Sequence, residues 1–535
     1  MAPILSVVFG GLVATYLFLR FYLRITQDAR EPPAIETHLP FLGPFIRMIK
    51  EKHKFHIHLR NEYNLPIYTL RLPFGRMYIV NSTDLIPAVQ KQWRTVSFAA
   101  VAANAGKPLG LSKSAIDTMH ADLTKEDSFS LTWPKRIIPV MSPGPDLDAM
   151  SRKAIEAFAA ELGRMRLAGA GAGAGAAAAS EVSLWEWTRR IMVAATTDAV
   201  FGPQNPFRER GVTEAWLKFE PNFLLFGLFP RPELFFRDLF EAREKVAGAL
   251  IEYMNKAGYE TGSGLVKRRV EHHAGWGFSS EDLGRGELGN AFAVVASSTA
   301  ACFWVLYHIF SDDKVLADVR AEVSALVTRG VEEGPDDGGS RVPVNSVDLA
   351  RIKSACPILL SVFQETLRYR SLSSSFKMVL EDVLLDGRIL LKKGGMLMIP
   401  STVQHYDTDQ WGPTAAEFDH LRFAPQKKWN RTAFRGFGGG HVLCPGRHFA
   451  SNEIMALAAM MVLQFDLVPA SGGWGDGAWG KSPAAAQFPI LDVDVKVEMR
   501  PRGSAAETWK FTYSGNEEAL PIVGEDIDAG GKGAM

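Results

Sequence analysis

The chain has 535 residues, 47% of them hydrophobic, with 59 Lys and Arg against 59 Asp and Glu. That apolar content supports a large core, and the balanced charge lacks the basic bias of a nucleic-acid partner. The three cysteines, Cys302, Cys356 and Cys444, are too few for a disulfide framework and fit a reducing compartment.

The first residues read as a membrane anchor. Ala2 to Leu19 carries no charge and is rich in Val, Leu, Phe and Tyr. With Phe21, Tyr22 and Leu23 it reaches about twenty residues, enough to cross a hydrocarbon core of ~30 Å. A cleaved signal peptide would want a basic start, but Met1-Ala2-Pro3 has none. Arg20, Arg24 and Arg30 follow the span and place the remainder on the cytosolic side. Residues 1–24 therefore form the anchor. Residues 25–45, with Pro32, Pro33, Pro40 and Pro44, read as a proline-rich hinge.

Ile67 to Val80 alternates in the manner of two strands around Pro73-Phe74-Gly75. A helical pattern runs from Asp146 to Arg166. The alanine–glycine run from Ala168 to Ala179 reads as a linker without function. Phe219 to Phe236 is dense in Phe and Leu, yet Pro221, Pro230 and Pro232 interrupt it. It is either core packing or a loop dipping into lipid over an apolar entrance. Leu288 to Phe310 is a long apolar helical pattern. Gly330 to Ser340 reads as an acidic surface loop, and Lys377 to Pro400 as short strands. Residues 514–535 form a polar, glycine-rich tail with a disordered end.

Phe437-Gly438-Gly439-Gly440-His441-Val442-Leu443-Cys444-Pro445-Gly446-Arg447 is the most informative stretch. It sets one cysteine in a glycine-rich loop ahead of a helical run, His448 to Gln464. A thiolate that meets a flat macrocycle needs a thin backbone that can take φ > 0, which glycine supplies. Backbone N–H groups and a following helix start stabilise the anionic sulfur. Zinc is the competing reading, with His441, Cys444 and His448 close in sequence, but a structural zinc wants four ligands and usually a second cysteine.

A second motif is Glu365-Thr366-Leu367-Arg368, whose Glu and Arg share a helix face. It lies in an apolar stretch upstream of the loop. A third is Phe418-Asp419-His420-Leu421-Arg422-Phe423. Together, in this order, they resemble the cytochrome P450 family: the Phe-x-x-Gly-x-x-x-Cys-x-Gly loop, the Glu-x-x-Arg helix and the Pro-x-Arg-Phe meander, with His420 in place of the proline. The resemblance implies a mainly α fold with small β-sheets, one large domain over residues 46–513, and haem b. It implies Cys444 as the axial iron ligand, with Phe437, Gly440 and Gly446 shaping the loop around the haem. Residues 25–45 then resemble the hinge of microsomal P450s, and the aromatic run resembles their membrane-facing entrance.

The chain departs from the family on the distal helix. Where Ala/Gly-Gly-x-Asp/Glu-Thr is usual, Val294-Val295-Ala296-Ser297-Ser298-Thr299 holds no carboxylate. The alcohol position is Thr299 in one register and Ser298 in the other. The latter resembles the sterol 7-hydroxylase and prostacyclin synthase branch. The simple alternative is that these hydroxyls bond back to the preceding turn. Val442 stands where a propionate-binding Arg or His is common. Lys377 matches a strand position that often holds a propionate, and His441 is a weaker candidate.

The resemblance implies a monooxygenase in the endoplasmic reticulum membrane with a cytosolic catalytic domain, acting in secondary metabolism. It would use O2, a lipophilic substrate of terpenoid, sterol or polyketide type, and electrons from a separate NADPH–cytochrome P450 reductase, since no flavin or nicotinamide motif is visible. Ser298 and Thr299 are its proton-relay candidates. Two alternatives stay open on sequence: a haem-thiolate isomerase or dehydratase needing neither O2 nor reductase, and a haem-binding sensor without turnover.

Overall fold

A computed structural model describes residues 2–35, 37–73, 75–170, 180–223, 225–229, 231–333, 341–425, 427–475, 477–482, 486–504, 507–515, 522–523 and 526. Most of the alanine–glycine linker, most of the acidic loop before Arg341 and the chain end after Asp526 lie outside these residues.

The described chain is mainly helical with small sheets, organised on one helix, Ser280–Phe310. The Ser279 hydroxyl starts it by accepting the Asp282 N–H at 3.1 Å, and Glu281 and Asp282 favour its positive end. Every residue from Ser298 to Phe310 is buried. A helix apolar on all sides is stable only when others enclose it. Leu184–Phe201, Arg237–Asn255, Pro357–Arg370 and Arg447–Gln464 do so.

Two helices here share a strongly apolar composition and differ in surroundings. The apolar window of Ser280–Phe310 is 72% buried, whereas that of the N-terminal helix Ala2–Thr26 is 0% buried. Packing thus separates a core helix from one that meets the rest of the described chain only near its C-terminal end, where Arg71 donates to Thr26 Oγ1 at 2.9 Å and Tyr22 lies beside Phe41. The proline-rich segment expected to be a hinge is bonded to the first sheet along part of its length. Ile35 N–H donates to Thr69 O at 2.9 Å, and Thr69 N–H donates to Pro33 O at 2.8 Å. The buried Glu31 carboxylate accepts from Arg76 at 2.8 Å and from the Tyr78 hydroxyl at 2.7 Å.

The largest sheet orders its strands Ile67–Leu72, Gly75–Val80, Met396–Pro400, Ser374–Val379 and Val96–Ser97. The predicted strand pair around Pro73 is its edge. Leu397 pairs with Lys377, which fixes the lysine on the inward face. The aromatic run divides between both readings. Phe219 and Phe226 are buried, and Phe223 lies 4.7 Å from Phe292 of the central helix, ring centre to ring centre. Leu234 and Phe235 are 67% and 64% exposed.

A carboxylate shared by two guanidinium groups locks the segment that leads to the cysteine loop. Arg368 Nε and Nη2 meet Glu365 at 2.7 and 2.8 Å, and Arg422 Nε meets it at 3.0 Å. The Asp419 N–H adds a fourth bond at 3.0 Å. The remaining donors of Arg368 reach the carbonyls of His405, Ala415 and Glu417. Those of Arg422 reach Trp411, Thr414 and Glu417. Arg368 and Glu365 are fully buried. Removing one partner strands the other charge, at a cost of about 3–5 kcal/mol. Arg368→Ala should therefore lower the urea midpoint sharply or abolish soluble protein. A midpoint within experimental error of wild type would show that the cluster is dispensable.

Candidate active site

The cysteine loop folds as its glycines require. Gly438 and Gly440 have φ of +77° and +61°, in the left-handed region. A Cβ on Gly440 would meet the Gln90 side chain at 2.8 Å, so this position needs both glycine's conformation and its lack of bulk. The Cys444 N–H donates to the Phe437 carbonyl at 3.0 Å and closes the loop. The helix Arg447–Gln464 starts immediately beyond.

The three cysteines differ in surroundings. Cys302 and Cys356 are fully buried, and burial pushes the Cys356 thiol up to about 12. Burial raises Cys444 as well, but the Gly446 and Arg447 backbone N–H groups and the Arg447 charge oppose it. A metal cation at the sulfur displaces the thiol proton outright. Among the described residues no group of three or more His, Cys, Asp and Glu side chains converges, so His441 and His448 do not complete a zinc site.

Beside the loop lies a set of buried cations. Lys377 is 2% exposed, and burial followed by the Arg435 charge brings its ammonium down to about 8. Among the described residues no carboxylate acts on it. Arg435 is also buried, three residues before Gly438. His441 stacks on Trp93 at 4.5 Å and is held below its usual range by burial, then by Lys377 and Arg94. A buried ammonium costs several kcal/mol unless an anion meets it. A group with two carboxylates, such as the haem propionates, fits here. Arg435 and Trp93 escaped the sequence reading because their role rests on tertiary contact with Lys377 and His441.

The central helix carries the other wall. Ala293 is exposed, and Ala296 and Ser297 are partly so, although the helix runs through the core. Small side chains on one face leave room for a flat group. The three hydroxyls diverge. Ser297 Oγ donates to Gln487 Oε1 at 2.6 Å. Ser298 Oγ donates back to the Val294 carbonyl at 2.8 Å, the local bond the bland reading expected. Thr299 Oγ1 is buried and has no partner.

A carboxyl group absent from the helix itself stands behind it. Glu453, on the helix that follows Cys444, is 1% exposed. Its Oε2 accepts from Thr196 Oγ1 at 2.8 Å, while Oε1 has no direct partner. The Ser298 hydroxyl lies close enough to stabilise its anion, and Cys302, one turn on, feels its charge. Burial outweighs these contacts and raises Glu453 to about 8, so it is protonated at neutral pH. The sequence offered one signal: a Glu at the head of an apolar stretch, Ile454 to Leu463, of a helix with no solvated face.

Comparison with known proteins matches these features to a family. The cytochrome P450 family model covers residues 262–474, which include the central helix, the Glu-x-x-Arg pair and the cysteine loop. The cytochrome P450 monooxygenase nodJ of Hypoxylon pulicicidum is 31% identical over 94% of this chain and 96% of its own. A cytochrome P450 monooxygenase of Gibberella zeae is 26% identical over 91% of this chain and 92% of its own. Cytochrome P450 7A1 of Rattus norvegicus is 27% identical over 43% of this chain and 48% of its own. Among solved structures, retinoic acid-bound cyanobacterial CYP120A1 gives a TM-score of 0.66 at 17% identity, over 89% of this chain and 100% of its own. That structure supports the fold, and the near end-to-end relative supplies the rest: the chain belongs to the cytochrome P450 monooxygenase family, which works through thiolate-ligated haem b.

Proposed function

We propose that this enzyme is membrane-anchored and oxidises a lipophilic substrate of terpenoid, sterol or polyketide type, in secondary metabolism, with electrons from a separate NADPH–cytochrome P450 reductase. The observation that carries the reading is the loop thiol Cys444 beside the buried ammonium of Lys377, which no carboxylate among the described residues neutralises. Haem b, when bound, supplies the dioxygen and one-electron chemistry. Cys444 holds the iron, and Lys377, with Arg435 and His441, holds the propionates. Phe437, Gly440 and Gly446 keep the loop thin at the sulfur. The exposed apolar helix Ala2–Thr26 supports an anchor in the endoplasmic reticulum membrane, with Leu234 and Phe235 facing the same lipid. Phe223 and Phe292 form an apolar wall that excludes water.

Proton supply runs through this chain's own groups. Ser298 lies on the central helix with its hydroxyl hydrogen on the Val294 carbonyl, so its lone pairs are free to accept. The Glu453 carboxyl, protonated at neutral pH, lies beside it and would donate to it when the relay operates. Rotation of the Ser298 hydroxyl then passes a proton toward the open face around Ala293 and Ser297. Glu453 thus fills, from behind, the role of the acid missing from the helix, and Thr196 orients it. Thr299, whose oxygen is enclosed, plays the smaller part.

Cys444→Ser should bind haem weakly or not at all and should lose the thiolate-specific Soret band of the reduced carbon-monoxide complex. Retention of that band would place the iron on another ligand. Product formation should require NADPH and reductase; turnover without either would favour the isomerase or dehydratase instead. Glu453→Gln should keep the carbon-monoxide spectrum yet lower product formed per NADPH by about ten-fold or more.

Glu453 also predicts a pH dependence of stability. Its folded pKa lies above the unfolded carboxyl value, so the folded state holds the extra proton. Its contribution is complete below the ordinary Glu range and is lost as pH rises through about 8. Thermal melts between pH 6 and 9 should fall less steeply in Glu453→Gln than in wild type. Parallel curves would mean that Glu453 is ionised throughout.

A further inference from the structure

The polar tail does not simply leave the surface. Tyr513 is buried, and Asn452 donates to its hydroxyl at 2.8 Å. Ser514 bonds both oxygens of Asp348, at 3.0 and 2.6 Å. Farther on, Ile522 and Val523 are 0% and 2% exposed. Asp526 Oδ2 accepts the N–H groups of both, at 3.0 and 3.2 Å. Gln364, on the Glu-x-x-Arg helix, donates to the Ile522 carbonyl at 2.9 Å.

The same aspartate meets the first residue of the cysteine-loop helix. Asp526 Oδ1 accepts from Arg447 Nε and Nη2 at 3.0 and 2.7 Å. Arg447 Nη1 donates to the Cys444 carbonyl at 3.2 Å. One guanidinium therefore joins the tail to the backbone of the cysteine. Lys353 stands next to it, with its ammonium on the His448 carbonyl at 3.4 Å and within range of the Asp526 and Arg447 charges. Between residues 517 and 528 the sequence holds five acids, Glu517, Glu518, Glu525, Asp526 and Asp528, and no base.

We propose that Ile522, Val523 and Asp526 occupy, in cis, the surface through which an acidic electron-transfer domain delivers electrons to the cysteine side of the site, and that the donor must displace them. The proposal rests on the reductase-dependent reading above. Electron transfer weakens steeply with distance, so a donor must approach where little protein covers the sulfur. Pro445 and Gly446, next to the sulfur, are only partly buried, so this part of the loop comes near the surface. Arg447 flanks it and offers positive charge to an acidic partner. Asp526 already neutralises Arg447, and Ile522 and Val523 fill the adjoining apolar seat. A surface that is open only part of the time binds its partner more weakly by the open fraction.

The test uses full-length, haem-loaded protein and NADPH-reduced cytochrome P450 reductase. Stopped-flow reduction under carbon monoxide, followed against reductase concentration, should show a lower half-saturating concentration in Asp526→Ala. The expected fall is about two- to five-fold, the scale of one partly exposed ion pair. The dithionite-reduced carbon-monoxide spectrum should match wild type. An unchanged or higher half-saturating concentration, with that spectrum intact, would overturn the proposal alone. Wild type that dithionite reduces but the reductase does not would overturn the functional reading and the proposal with it. Should Asp526→Ala fail to fold, hydrogen exchange on wild type decides. Saturating reductase should speed exchange at the Ile522 and Val523 amides, and equal or slower exchange would show that the tail stays seated.

Discussion

The Glu365 carboxylate, shared between Arg368 and Arg422, is the constraint on which the catalytic half of the molecule depends. Its value is not the ion pair alone, because burying three charges costs much of what their attraction returns. The two guanidinium groups have more donors than one carboxylate can use. The surplus fixes the carbonyls of His405, Trp411, Thr414, Ala415 and Glu417. That stretch has little regular structure of its own, so without these bonds its carbonyls would be buried and unpaired. The stretch also leads to the cysteine loop. His405, fixed by its carbonyl, accepts the Arg435 N–H at 2.8 Å. Arg435 then lies beside Lys377 and the glycine turn. A surface-style Glu-x-x-Arg pair has thereby become the internal frame of the site.

The frame allows an arrangement that would otherwise be unstable. Lys377 and Arg435 repel each other in a place where water is scarce, and burial lowers Lys377 to about 8. Such a cluster is tolerable where a dianionic ligand completes it. The thiol Cys444 has the matching problem, since burial resists its ionisation while two N–H groups and Arg447 favour it. In the proposed function a haem iron would answer the thiol and a propionate would answer the Lys377 ammonium. The charge deficits on the two sides have opposite sign, and haem carries both complements in one rigid body. Folding and cofactor binding are then coupled in the ordinary sense that a ligand of the native state stabilises it.

Legibility from sequence followed how local each signal was. The cysteine loop was readable because glycines at 438 and 440 meet a backbone demand that few other residues satisfy. The Glu-x-x-Arg helix and the strand pair around Pro73 were readable from period and turn chemistry. Lys377 was placed through resemblance, and its burial gives that placement a physical ground. The aromatic run could not be resolved, because the sequence is equally apolar at Phe226, which is buried, and at Phe235, which is exposed. Arg435, Trp93 and Glu453 were missed because each acts through a partner distant in sequence. The tail looked polar from its composition, yet among its described residues Ile522 and Val523 are buried.

The absent distal acid illustrates the same point in chemical terms. A relay needs a group that holds a proton near neutral pH and an alcohol that can hand it on; it does not need both on one helix. On a solvated helix face a Glu would be ionised and would draw water into the site. Glu453 sits instead between Thr196, Ser298 and Cys302, where burial keeps it protonated. Ser298 pays no packing penalty there, because its hydrogen is satisfied by Val294 until a better acceptor comes. A buried acid behind a small alcohol also leaves the open face to Ala293, Ala296 and Ser297, which keeps space over the flat group for a bulky apolar substrate. In the proposed relay, the loss of the carboxylate from the helix and the smallness of that face would be two consequences of one arrangement, with the proton store on the neighbouring helix.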